Sequence, residues 1–142
     1  MKHVALIASM LAIITPHADA KNGGWRHTSP WVCQDKPGSD YTTAENACVI
    51  RRVFHKGWRG ALAIARCESG PQLDARMKMS GGDGASGLFQ FLVSTWNSQL
   101  PHSISRHSVF HPVWNAKGAK WLHDHDGNWH QWSCSSITGV YS

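Results

Sequence analysis

Four cysteines constrain this chain more than any other feature, because all four follow an N-terminal segment with the pattern of an export signal. They are Cys33, Cys48, Cys67 and Cys134. An even number of cysteines in an exported chain predicts two disulfides, and four cysteines allow three pairings. None of them has the C-x-x-C spacing of a zinc or redox site, so we expect structural cross-links.

The first twenty residues have the pattern of a secretory signal peptide. Lys2 gives a positive start, Val4 to Thr15 is an apolar run, and Ala18-Asp19-Ala20 matches a cleavage site. The run is shorter than the roughly 20 residues that span a bilayer, although an uncleaved anchor or a buried helix would look similar. We predict a signal peptide at 1–20, an irregular segment at 21–41 and one domain at 42–142. The mature protein is expected to be secreted, periplasmic or wall-associated, without stable membrane insertion.

The charge of the chain indicates which partners suit it. Its net charge is +5, and an exported basic protein suits an anionic matrix such as a bacterial wall, which is rich in carboxylates and phosphates. The basic residues are scattered along the chain rather than gathered in a stripe, so we predict no nucleic-acid partner. All eight tryptophans follow the leader; we expect some in the core and others in a groove, where indole faces meet sugar rings.

Helical signals begin after the irregular segment. Thr42 and Glu45 form a capping-box pattern, which predicts a helix that continues to about residue 56. Gly57 and Gly60 then indicate a break, and a second helix is predicted over about 61–68.

The rest of the chain alternates loops with shorter helical patterns. A glycine-rich loop is predicted over 79–87, and Ser94 or Thr95 is predicted to cap a short helix. The stretch 101–112 is expected to be irregular, and a third main helix is predicted over 114–123. Because no strand alternation is sustained, we expect a mainly α fold with long loops.

Glu68 occupies an unusual place for a carboxylate. It lies in the last turn of a predicted helix that is largely apolar, where the helix dipole favours cations, and 69–71 (Ser-Gly-Pro) ends that helix. Burial against apolar groups raises the pKa of a carboxyl, so Glu68 is a candidate general acid. The alternative is an ordinary surface glutamate at a helix end.

Three short motifs follow one another at characteristic spacings. They are Cys67-Glu68-Ser69-Gly70, then Gly84-Ala85-Ser86-Gly87-Leu88-Phe89-Gln90-Phe91, then the segment 112–122 with Asn115. Together they resemble the soluble lytic transglycosylase family. The sequence Ala-Arg-Cys-Glu-Ser-Gly, with Ser94-Thr95-Trp96 and a late Trp-Ser-Cys, also resembles the resuscitation-promoting factors. The resemblance covers roughly 58–134 and implies a single lysozyme-like domain of the α+β type.

The resemblance also implies an activity. The chain would be a secreted enzyme that cleaves the β-1,4 bond between N-acetylmuramic acid and N-acetylglucosamine in peptidoglycan and leaves 1,6-anhydromuramic ends. Glu68 matches the catalytic acid/base. The glycan strand is then the partner, and we expect a monomer that needs no cofactor and no metal.

Further site residues are implied position by position. Gln90 matches a residue that hydrogen-bonds the sugar or its acetamide, and Ser86 matches a residue that faces the same cleft, with a plain turn residue as the alternative. Asn115 matches a helix residue that supports the site. The implied disulfides are Cys67–Cys134, by match with the resuscitation-promoting factors, and Cys33–Cys48, which remains.

The chain departs from the family at two positions. Many transglycosylases carry a tyrosine near the end that contacts the catalytic glutamate. This chain has no tyrosine in the region 127–132, so Trp132 is expected to line the site and the partner that orients Glu68 is left open. The family also carries a Pro-x-x-Asn segment, which matches residues 112–115 here, and the acidic residue that usually precedes it is His111 in this chain.

The choice between transglycosylase and hydrolase depends on a second carboxylate. Hydrolysing glycosidases usually pair two, and the nearby candidates are Asp74 and Asp83, with Asp83 the possible second acid. Goose-type lysozymes, which share this fold, can place an aspartate where this chain has Leu92. A muramidase therefore stays as the alternative to the single-glutamate transglycosylase.

Two other classes of protein remain open. A non-catalytic wall-binding module would use the tryptophans and the positive charge without cleavage. A secreted metal-binding protein would use the histidines and aspartates near the end of the third helix. That cluster consists of His123, Asp124, His125, Asp126 and His130. His123 and His125 would point to different sides of a helix, which argues against a metal site.

Overall fold

The computed structural model describes Cys33 and residues 35–141. The predicted signal peptide and most of the predicted irregular segment lie outside these residues. The described chain is mainly helical and contains α1 (Thr43–Phe54), α2 (Trp58–Ser69), α3 (Val93–Ser98), α4 (His102–Ser105), α5 (Pro112–Asp126) and α6 (Cys134–Thr138). Strand-like pairing in this part of the chain is limited to two isolated bridges, Lys78 with Ser86 and Ser86 with Phe91.

Helix α1 begins where the capping box predicted. The Thr42 side chain accepts a hydrogen bond from the Glu45 backbone N–H, and the Glu45 carboxylate accepts one from the Thr42 backbone N–H at 2.8 Å. The apolar side chains Val49, Ile50 and Phe54 are buried, so α1 presents one face to the core. It packs against both α2 and α5.

Helix α2 begins earlier than the sequence predicted. It starts at Trp58, directly after the left-handed Gly57, so Gly60 lies inside the helix rather than in a break. A Cβ atom at Gly60 would lie 2.9 Å from Val140 Cγ1. The glycine therefore allows the C-terminal segment to approach α2 closely, which is a tertiary reason for its presence that the local pattern does not reveal.

The later helices also differ from the prediction. Helix α3 begins at Val93, and neither Ser94 nor Thr95 is its cap. Helix α5 starts at Pro112, which needs no backbone donor in the first turn, and ends at Asp126, so it is longer at both ends than the predicted 114–123. Helix α4 lies in a stretch that was predicted to be irregular.

Aromatic rings form the centre of the core. Phe89 lies near three other rings, with its centroid 5.7 Å from Phe54, 6.0 Å from Trp129 and 6.3 Å from Trp132. Phe91 meets Trp96 edge-on at 5.3 Å. The apolar residues of the Gly-Leu-Phe-Gln-Phe motif therefore reach into the core and anchor the motif.

Two disulfides cross-link the described chain, and both have the predicted pairing. Cys33 is bonded to Cys48, and Cys67 is bonded to Cys134. Such bonds are compatible with a location outside the cytoplasm. Among the described residues, no helix combines the length and the apolar character needed to cross a bilayer.

Candidate active site

The Gly-Leu-Phe-Gln segment forms a tight turn that is bonded to its surroundings through the backbone. Ser86 and Phe91 exchange backbone hydrogen bonds of 2.9 and 3.0 Å, and the Gly87 N–H donates to the Met77 carbonyl at 2.9 Å. Gly87 has φ +80, and a Cβ atom there would lie 2.3 Å from Asn115 Nδ2. The motif thus requires glycine at this position because of both its backbone angle and its closeness to α5.

Asn115 is the residue that holds this turn against α5. It is fully buried, and its Oδ1 accepts the Phe89 N–H at 2.9 Å. Its Nδ2 donates to the Val109 carbonyl at 2.7 Å and to the Ser86 carbonyl at 3.4 Å. Both ends of the amide are bonded to backbone, so Asn115 supports the turn and does not line the pocket described below.

Gln90 is held in a fixed orientation with one acceptor to spare. Its backbone has φ +47, which a non-glycine residue rarely adopts. Its Nε2 donates to the Gly87 carbonyl at 2.7 Å and to the Met77 carbonyl at 3.1 Å. The buried Oε1 has no hydrogen-bond partner among the described residues. That oxygen is shielded from solvent in this structure, so the N–H or O–H of a ligand would reach it only after the surrounding side chains shift.

Glu68 lies in the last turn of α2 and is half-buried. Its Oε1 accepts a hydrogen bond from the Cys134 backbone N–H at 3.3 Å. Burial raises the pKa of Glu68 above the usual value for a glutamate, and the bond from Cys134 offsets part of that rise. Cys134 is the partner that the sequence left open; its disulfide with Cys67, next to Glu68, is the signal that placed it nearby.

Glu68, Gln90 and Trp132 meet in one pocket of about 290 Å³. The indole N–H of Trp132 donates to the Phe89 carbonyl at 2.7 Å, so this ring contributes its apolar surface. The sequence analysis did not predict the remaining residues that line this pocket as site residues. Those residues are Met79, Ala85, Phe91, Leu92, Thr95, Leu122, Gln131 and Ser133. Of all the described residues that line the pocket, Glu68 is the one with a titratable side chain.

Asp83 and Ser86 are not among the residues that line this pocket. The Asp83 carboxylate accepts a hydrogen bond from the Ser94 backbone N–H at 2.7 Å, at the start of α3, and bonds to Ser94 lower the pKa of Asp83. Ser86 is 1% exposed, and its hydroxyl donates to the Gly84 carbonyl at 3.0 Å. The structure thus places Asp83 at the start of α3 and Ser86 in its own turn, and it brings neither side chain into the pocket with Glu68, Gln90 and Trp132.

Asp74, the other acidic candidate, lies in a different pocket. Its Oδ1 accepts the Arg76 backbone N–H at 2.9 Å. It lines a pocket of about 590 Å³ that does not include Glu68. The two carboxylates considered as partners for Glu68 are therefore both engaged elsewhere.

The histidine and aspartate cluster near the end of α5 is spread over separate contacts. The His123 ring lies 4.6 Å from the Trp129 ring, and the His125 ring stacks on Trp121 at 5.0 Å. Asp124 pairs with Lys120. Within the described residues, no group of three or more histidine, cysteine, aspartate or glutamate side chains is placed to hold a metal ion.

A second large pocket, of about 540 Å³, lies between α1 and the opposite side of α5. It exceeds the Glu68 pocket in volume, yet its acidic side chains are paired with its bases, Asp35 with Arg52 and Asp124 with Lys120. Exposed ion pairs of this kind are ordinary surface features and supply no half-buried acid. The larger pocket therefore lacks the half-buried acid that distinguishes the Glu68 pocket.

Comparisons with protein-family models, with curated proteins and with solved structures find no match for this chain. The chemistry of the Glu68 pocket and the sequence motifs around it therefore provide the basis for a functional assignment.

Proposed function

We propose that this protein is a secreted peptidoglycan lytic transglycosylase with a lysozyme-like fold and that Glu68 is its single catalytic acid/base. The observation that carries the proposal is the setting of that carboxyl: it is half-buried, its pKa is raised, and the described residues around it contain no second carboxylate. The motif resemblance supplies the substrate class, which is the glycan strand of a bacterial wall.

The first step requires a protonated carboxyl. Burial favours the neutral form of Glu68 and keeps a proton available nearer to neutral pH than an exposed glutamate would. That proton passes to the oxygen that bridges N-acetylmuramic acid and N-acetylglucosamine. The bond between that oxygen and C1 of the muramyl ring then breaks, and the acetamide of the same sugar stabilises the developing positive charge.

The second step uses the same side chain as a base. Ionised Glu68 takes the proton from the C6 hydroxyl of the muramyl ring, and that oxygen attacks C1 to close a 1,6-anhydro bridge. No water is consumed, so no second base is needed. The pocket supports this route, because none of its lining residues other than Glu68 has a carboxylate that could activate a water molecule.

Gln90 is proposed to hold the sugar. Its Nε2 is already committed to two carbonyls, which fixes the amide and leaves Oε1 as the acceptor. Because Oε1 is buried, an acetamide N–H or a ring hydroxyl of the substrate would supply the missing donor once binding shifts the side chains that cover it. Binding would then satisfy a buried polar atom whose desolvation otherwise costs about 1–3 kcal/mol.

Substitution of Glu68 tests the proposal directly. Glu68→Gln keeps the shape of the side chain but has no proton to give, so release of soluble glycan from purified wall should fall at least a thousandfold. Asp83→Asn is the matched control: it changes a carboxylate that caps α3, so its rate should stay within a few-fold of the parent. Cleavage by Glu68→Gln at the parent rate would overturn the proposal.

The same pair of variants separates the rival functions. A wall-binding module would show binding without cleavage in the parent protein, whereas an enzyme should lose cleavage and keep binding in Glu68→Gln. A muramidase that relies on Asp83 would lose activity in both variants. No observation on the described residues favours the wall-binding module or the muramidase over the transglycosylase.

A further inference from the structure

One residue, Cys134, makes two contacts with the end of α2. Its sulfur is bonded to Cys67, the residue just before Glu68, and its backbone N–H donates to Glu68 Oε1 at 3.3 Å. Among the described residues, this is the one hydrogen bond to the Glu68 carboxyl. The covalent link and the hydrogen bond therefore act between the same two short segments.

The segment that carries Cys134 has little helical stability of its own. Helix α6 contains five residues, and an isolated helix of that length is not stable in water. Its local bonds run within the C-terminal segment: the Ser135 N–H donates to the Trp132 carbonyl at 3.0 Å, and the Thr138 hydroxyl donates to the Cys134 carbonyl at 2.7 Å. The disulfide is the covalent bond that fixes this segment to α2.

We propose that Cys134 is a positioning residue whose disulfide with Cys67 holds its backbone N–H against the Glu68 carboxyl and thereby sets the direction in which that carboxyl faces the pocket. The catalytic part of this inference rests on the function proposed above; the positioning itself does not. Cys134 does not line the pocket, so it acts through Glu68 rather than on the substrate.

The contact has a chemical consequence for a group that works first as acid and then as base. Burial favours the protonated carboxyl, whereas a backbone N–H stabilises the ionised one. Burial and the N–H therefore act on the pKa of Glu68 in opposite directions, at a carboxyl that must give a proton and then take one back. Loss of the N–H would leave burial unopposed.

Few other groups are available to set this balance. The described residues that line the pocket with Glu68 are neutral, and α6 has no titratable side chain. The charged residues of the helices that pack on or include this site do not line the pocket. They are Glu45, Arg51 and Arg52 on α1, Arg59 and Arg66 on α2, and Lys117, Lys120, His123, Asp124, His125 and Asp126 on α5, the helix that contributes Leu122 to the pocket. Of these, Asp126 accepts a hydrogen bond from Gln131, which does line the pocket.

The first test uses the native protein and needs no activity. The backbone amide proton of Cys134 is followed by NMR across a pH titration, together with the carboxyl carbon of Glu68. The inference predicts that both signals move with one midpoint, and that Glu68→Gln abolishes the movement of the amide. An amide signal that does not respond to Glu68 would overturn it.

The second test compares the two disulfides as matched variants. Cys67→Ala with Cys134→Ala should raise the midpoint of the Glu68 titration and lower kcat on wall roughly tenfold with little change in KM. Cys33→Ala with Cys48→Ala should leave the midpoint unchanged. Equal midpoints in both double variants would overturn the inference. If the midpoint shifts but the parent protein does not cleave wall, the positioning stands and the proposed function fails.

Discussion

At the scale of single residues, Glu68 is the feature on which the proposed function depends. Its position at the end of an apolar helix could be predicted from the sequence, because Ser69, Gly70 and Pro71 mark the end of that helix. The implied Cys67–Cys134 disulfide brought Cys134 near Glu68, but it did not reveal the hydrogen bond, because the donor is a backbone N–H, which almost every residue type has. The role of Asp83 could not be predicted either, because the Ser94 N–H that it accepts, at the start of α3, comes close only in the folded chain.

A stability difference follows from the burial of Glu68 and does not depend on any catalytic assumption. The folded protein raises the pKa of this carboxyl, so its contribution to stability is fully present below the unfolded pKa and is lost as pH rises through the folded pKa. Glu68→Gln never ionises. We therefore expect this variant to have a higher Tm than the parent at neutral pH, and the two to converge at acidic pH.

Thermal unfolding of both proteins across a pH series measures this difference. A variant that is less stable than the parent at neutral pH would show that the carboxylate is stabilised in place, contrary to the raised pKa. A gain in stability when the charge is removed is common at catalytic carboxylates held in apolar surroundings, where function costs some stability.

At the scale of secondary-structure elements, local signals predicted what local contacts determine. The capping box at Thr42 and Glu45 correctly placed the start of α1. The predicted start of α3 was wrong. The first backbone N–H groups of this helix donate to the Asp83 side chain, and neither Ser94 nor Thr95 caps them. Helix α6 was missed because a disulfide to α2 holds a segment with little helical pattern of its own.

The Gly-Leu-Phe-Gln turn makes a prediction at this scale. A Cβ atom at Gly87 would lie 2.3 Å from Asn115 Nδ2 and 2.5 Å from the Val109 carbonyl oxygen, at a φ of +80. Gly87→Ala should therefore lower the free energy of unfolding by about 3 kcal/mol, through crowding and backbone strain, and should lower activity by displacing Gln90.

Chemical denaturation measures the loss of stability, and Gly82→Ala is the matched control. Gly82 belongs to the same glycine-rich stretch, a Cβ atom there would have no neighbour within 4 Å, and its φ is not positive. Its substitution should change the free energy of unfolding by less than about 1 kcal/mol. Equal effects at the two glycines would show that the turn does not require the close approach to α5.

At the scale of the whole molecule, the two disulfides cross-link different parts of the chain. Cys67–Cys134 closes a separation of 67 residues and joins α2 to α6, whereas Cys33–Cys48 closes 15 residues and joins the lead-in to α1. The number of cysteines and their position behind the predicted signal peptide predicted that two bonds form, and the family resemblance supplied the pairing.

Removal of each disulfide should therefore have a different cost. In the loop-entropy model, the longer closure contributes about 4 kcal/mol and the shorter about 3 kcal/mol to the stability of the folded state. We expect the Cys67→Ala, Cys134→Ala variant to unfold at a lower denaturant concentration than the Cys33→Ala, Cys48→Ala variant. The reverse order would show that the N-terminal bond closes a more important part of the core.

The mainly helical content of the molecule followed from its sequence patterns, because apolar side chains recur at helical spacing in α1 and α5. The composition of the Glu68 pocket could not be predicted from these patterns, because its lining residues lie between 68 and 133 and meet only in the folded chain. Met79 and Leu92, both exposed and both in that lining, belong to loops whose course depends on tertiary contacts.

Mass spectrometry of purified peptidoglycan after digestion by the mature protein tests the central claim most directly. If Glu68 acts alone as acid and then base, each newly formed muramyl end is a 1,6-anhydro ring, lighter by one water than a reducing end, and digestion in ¹⁸O-labelled water introduces no label. Reducing muramyl ends that carry ¹⁸O would contradict the account and would identify the protein as a hydrolase with a second catalytic group.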